Sequence, residues 1–102
     1  MAKSDAGMGG MDMSMPADGD SEATRGYKAS MTTMMEKMPA YTGDPDSDFM
    51  QQMRGHHQAA ISMAEVELAN GADAEAKALA QNIIRNQKAE IAQIDAWLQK
   101  MG

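Results

Sequence analysis

The chain has 102 residues, a net charge of −6, no cysteine and thirteen methionines. Its acidity excludes a nucleic-acid partner, whose phosphates demand clustered Lys and Arg, and the missing cysteine excludes disulfides, iron–sulfur clusters and thiolate zinc sites. The length allows one domain, and with Leu, Val and Phe scarce its core would gain from a metal, a partner subunit or very regular helix packing.

Residues 1–20 are rich in Gly, Asp, Ser and Met and have no aliphatic run. Such a segment cannot bury enough apolar surface to offset the entropy of ordering, so a flexible tail is expected, followed by a helical domain over 21–102. Within the tail Met8, Met11, Met13 and Met15 have no core to fill. A flexible strand of thioethers can wrap a soft ion, and thioethers have no proton to lose on binding; an expression artefact or chance is the bland alternative.

A first helix is predicted over about 21–38, capped by Ser21, with Glu22 in the first turn and Pro39 ending it. Tyr27, Met31, Met34, Met35 and Met38 fall on one stripe of it. Methionine fills gaps in any bundle, but Leu does so with better-defined packing, so four methionines in eight residues leave filler and ligand readings evenly matched. The balance tips toward ligand if this stripe faces the second helix's histidines.

The second helix is predicted over 45–70, with Asp44 as cap, Pro45 at the first helical position and Asn70-Gly71 as stop. Met50, Met53, His57, Ile61, Ala64 and Leu68 share one face, which must be buried because Ile61 and Leu68 belong to it. Met53 and His57 are one turn apart, close enough to bind one ion, and His56 and Met63 lie on the shoulder of that face. Thioether and imidazole are donors that Cu(I) and Ag(I) accept; zinc would want thiolate or more imidazole, and iron or manganese carboxylate. The competing reading makes these methionines core filler and the histidines satisfied bundle residues.

A third helix is predicted over about 73–100, capped by Asp73 and antiparallel to the second. Its buried stripe would hold Ala76, Leu79, Ala80, Ile83, Gln87, Glu90, Ile94, Trp97 or Leu98, and Met101. A buried carboxylate needs a partner, so Glu90, with Gln87 beside it, is expected to meet a histidine across the hairpin as a carboxylate–histidine–metal arrangement. A water-bonded Glu at the edge of a thin core is the alternative. No segment competes as a strand, and the fold class is all-α.

The run Asp48-Phe49-Met50-x-x-Met53-x-x-His56-His57-x-x-Ala60-x-x-Met63-Ala64, followed by Leu79-Ala80-x-x-Ile83-x-x-x-Gln87-x-x-Glu90-Ile91-x-x-Ile94-x-x-Trp97-Leu98, resembles the bacterial domain-of-unknown-function family 305. The likeness covers roughly residues 44–102. It implies a ferritin-like helical shape and export, and for some members periplasmic copper binding tied to copper resistance, with Met50, Met53, His56, His57 and Met63 as the family-type positions. The paired Glu-x-x-His motifs of di-iron bundles are missing, so ferroxidase chemistry is not implied.

The expected function is therefore sequestration or carriage of Cu(I), with Ag(I) or Cu(II) as further ions, by a non-enzymatic periplasmic or secreted protein that works with a copper-exporting or copper-receiving partner. Met1-Ala2-Lys3-Ser4-Asp5 lacks the apolar run of a signal peptide, which fits a mature form carrying an added start Met. A three-helix unit leaves its core thin, and a symmetric homodimer would pool hairpins into a larger bundle. The alternative is a metal-free helical interaction module that grips a partner through a Met-rich surface. A copper oxidase or reductase is disfavoured, because no His-rich Cu(II) set and no paired acid and base are apparent.

Overall fold

The structure, a computed structural model, describes residues 19–101. Met8, Met11, Met13 and Met15 lie outside the described residues.

Among the described residues three helices account for the fold: α1 (Glu22–Lys37), α2 (Pro45–Asn70) and α3 (Ala74–Met101). Each starts where an oxygen-bearing side chain can satisfy an orphan backbone donor. The Thr24 amide donates to Ser21 Oγ at 3.1 Å, the Ser47 amide to Asp44 Oδ2 at 2.9 Å, and the Ala76 amide to Asp73 Oδ2 at 2.8 Å. Pro39 follows the end of α1 at the Met38 cap, and Gly71 closes α2 by donating its amide to the Glu67 carbonyl at 2.7 Å. The turn between α1 and α2 is clasped by Asp48, whose carboxylate accepts from the Thr42 amide at 2.8 Å and the Gly43 amide at 3.0 Å. Gly43 has φ of 93° there, a conformation glycine adopts without strain.

The helix α2 is central. Its Gly55, Ala59, Ser62 and Val66 side takes α1, and its Met50, His57, Ala64 and Leu68 side takes α3, roughly 150° away around the helix at 100° per residue. Among the described residues no Cα atom of α1 lies within 8 Å of one in α3. The result is one open layer of helices, 15 Å thick through the Cα atoms. A single layer buries little: Ala59, Ala64, Ala80 and Ile94 are the buried apolar residues, and no described side chain is fully enclosed.

The open layer corrects two expectations. On α1 the buried residue is Ser30, whereas Met31 and Met35 are 39% and 65% exposed. Small residues let α1 approach closely at Gly26 and Ser30, which rolls those two methionines outward. On α3, Leu79, Glu90 and Met101 of the expected buried stripe are exposed, because α3 has one neighbour and its stripe is only half covered.

The two broad faces of the layer differ. One holds Lys37, Gln51, Arg54 and Gln58. The other carries Met31, Met35, Phe49, Met63, Leu79 and Met101, which are all of the large exposed apolar side chains on described helices, around a groove of about 340 Å³ floored by Ala60 and Ala64.

Candidate metal centre

The seam between α2 and α3 is where chemistry gathers. His57 is buried on α2 and its Nε2 is in hydrogen-bond contact with Glu90 Oε1 of α3. A carboxylate has no proton to give, so Nε2 carries the proton of this contact. The carboxylate fixes the orientation of the ring. Glu90 is half exposed, which spares it the cost of a buried charge. Gln87 lies half-buried three residues before it.

Met53 is half-buried one turn before His57, and Met50 is half-buried one further turn back, where it lines a recess with Trp97 and Ala96. Met53 and His57 thus share the α3-facing side of α2. His56 and Met63 point instead to the open face and are exposed. Among the described residues no three His, Cys, Asp or Glu side chains cluster as a metal site.

The α1 methionines divide. A Cβ added at Gly55 would stand 2.5 Å from Met38 Sδ, so that thioether occupies the space glycine leaves. Met34 lines a cleft of about 160 Å³ with Ser30, Gly55, Ala59 and Ser62. Both therefore pack on the side of α2 that faces away from His57, and the α1 stripe does not face the histidine side. Met31 and Met35 stand on the open face.

Three cross-helix pairs were not anticipated from the sequence. Arg54 grips Asp95 across the α2–α3 seam through Nε at 2.5 Å and Nη2 at 3.2 Å; the hydrogen bonds hold the Asp95 carboxyl below the usual carboxylate range and raise Arg54. Arg54 borders the buried side of α2, a position from which an ion pair across the seam could have been anticipated. On the α1 seam, Ser30 Oγ donates to the Gly26 carbonyl at 3.0 Å and lies 2.6 Å from Ser62 Oγ. One hydroxyl has one proton, so Ser62 donates to Ser30. Tyr27 donates to Glu67 Oε1 at 3.3 Å, and partial burial, with the Glu67 carboxylate beside it, raises the phenol above its ordinary range.

The family model described as "Domain of unknown function (DUF305)" matches residues 2–99. No curated protein matches the chain. No helix among the described residues is long and apolar enough to cross a membrane.

Proposed function

The chain belongs to the domain-of-unknown-function family 305, and from that premise we propose that it binds Cu(I), and Ag(I) in the same way, as cargo rather than as a catalytic cofactor. The observation that carries the reading is the Met53/His57 pair, one helical turn apart with the imidazole held by Glu90. Soft thioether sulfur beside a neutral imidazole suits a monovalent d10 ion, and Met50 adds a further sulfur on the same side of the helix. Met31, Met35, His56 and Met63 form a second, exposed group of soft donors that an arriving ion meets first. Met34 and Met38 are packing residues in this account. Sequestration or carriage in an exported setting, contributing to copper resistance, is the role these features suit, without an enzymatic step.

Anaerobic Cu(I) titration against a chromophoric competitor tests it. The wild-type chain should hold the ion against the competitor. A variant with Met53→Leu and His57→Ala should lose at least about a hundredfold in affinity, the loss of two ligands from a small set. Equal affinity in the two proteins would remove the seam from the account. A metal-free interaction module remains the competing reading, favoured by the exposed Met-rich face; indifference of the wild-type chain to Cu(I) and Ag(I) would select it.

A further inference from the structure

Along the open face of α2, Phe49, Met53, His56, Ala60, Met63 and Glu67 recur at spacings of four, three, four, three and four. This is the a/d repeat of a helix that pairs with another helix. Helices α1 and α3 lie to either side of α2; of this run, Glu67 accepts a hydrogen bond from Tyr27 of α1 and half-buried Met53 borders the α3 side. Phe49 is 63% and Met63 39% exposed, and His56 is exposed as well. Among the described residues, no helix of the same chain covers the Phe49, His56 and Met63 stretch of this seam.

We propose that a second copy of this chain covers that seam, with the two α2 helices antiparallel and related by a two-fold axis at the level of residue 58. The face itself argues for a copy. Domains are built from at least two packed layers, and the described residues of a single chain supply one, 15 Å thick. The same surface offers both projections (Met31, Phe49, Leu79) and a recess floored by Ala60, which is the self-complementarity that a two-fold interface needs. The area is sufficient. Helices α2 and α3 are each roughly 40 Å long and ~10 Å wide, so those two alone present about 800 Å² per copy, a partner's share of a standard interface.

The register follows from the seam. Antiparallel pairs alternate a against d positions, and centring the axis on the run matches all six residues. Ala60 then faces His56 of the second copy, a small side chain opposite a large one, and Met53 faces Met63 of the second copy. Met53 and His56 of one chain, one turn apart, are joined there by a thioether from the other. The interface stands independently of the metal reading; only this shared donor set rests on it.

The experiment uses the full chain, reduced and free of metal. Sedimentation equilibrium should give the mass of two chains. Met63→Asp buries an unpaired charge in the seam and should weaken association by about a hundredfold or more; circular dichroism should show unchanged helix content, since Met63 is exposed in the single chain. Register is read by mild oxidation, which is clean because the chain has no cysteine of its own. An equal mixture of His56→Cys and Ala60→Cys chains should form a mixed disulfide, which requires Cα atoms within about 7 Å. Gln58→Cys, on the polar face, should not cross-link. A chain that stays monomeric from micromolar to millimolar concentration overturns the proposal, as does a dimer that cross-links through Gln58→Cys and not through the mixed pair. Because no metal is present, a failed copper titration leaves this interface standing, and a monomer leaves the Met53/His57 site standing.

Discussion

The helix α2 has two unlike seams, and both contain methionine. Toward α1 it offers Gly55, Ala59, Ser62 and Val66, so the helices meet through small residues and a hydroxyl pair, with Met38 lying over a glycine. Toward α3 it offers Met50, Met53, Arg54 and His57, and the partners across that seam are the carboxylates of Glu90 and Asp95. Methionine fills space on the first side and stands beside an oriented imidazole on the second. The neighbour decides what a thioether is for, and composition alone cannot.

The sharpest way to break this comparison is to disturb one seam and read the other. Replacing Glu90 by Gln removes the acceptor that orients the His57 ring, and should lower Cu(I) affinity roughly 10- to 100-fold. Met38→Leu on the α1 seam should leave that affinity unchanged. Competitor titrations of both variants check the contrast, and equal losses would mean that the two seams are not functionally distinct.

Packing should respond in the opposite sense. A Cβ at Gly26 would lie 2.7 Å from Val66 Cγ2, on a stiff β-branched side chain. Gly26→Leu should therefore overpack the α1 seam and cost about 1–3 kcal/mol in denaturant unfolding. At Gly55 the obstructing atom belongs to the flexible Met38 side chain. There Gly55→Ala should be tolerated, because Met38 can turn aside and helix propensity gains up to about 1 kcal/mol. If the two glycines respond alike, the small-residue seam is not the close approach described.

The smallest effect is in acid. Hydrogen bonds from Arg54 depress the Asp95 pKa, and those from Thr42 and Gly43 depress that of Asp48. A carboxyl whose folded pKa is lowered stabilises in full above its ordinary pKa, and loses that contribution as pH falls through the lowered value. The melting temperature should drop as pH falls through the aspartate range, and less steeply in Asp95→Asn than in the wild type. An identical slope would show that the Arg54–Asp95 pair contributes nothing to the α3 seam.

Much of this was legible in the chain. Ser21, Asp44-Pro45, Asn70-Gly71 and Asp73 mark the helix ends, because an orphan donor needs an oxygen acceptor and proline and glycine restrict or free the backbone in known ways. Helical periodicity put Met53 and His57 on the inner side of α2. Periodicity also singled out Glu90 as a residue wanting a polar partner. The α1 seam was not legible. A stripe of methionines outweighs Gly26 and Ser30 on any hydrophobicity pattern, yet contact distance favours the residues without bulk, and α1 turned its methionines partly outward. The half-covered α3 stripe was hidden for another reason: its exposure depends on α1 and α3 not meeting, which no local pattern encodes.

That missing contact has a dynamic consequence. With no Cα atom of α3 within 8 Å of it among the described residues, α1 is tied down by a seam of small side chains, the Tyr27–Glu67 hydrogen bond and the Asp48 clasp, while α2 and α3 are joined by the Arg54–Asp95 ion pair and the His57–Glu90 contact. Unravelling should then begin at α1 and leave the hairpin closed. Native-state amide exchange would see this as α1 protons trading with deuterium well before those of α2 and α3, and uniform protection across the three helices would mean the layer opens as one piece.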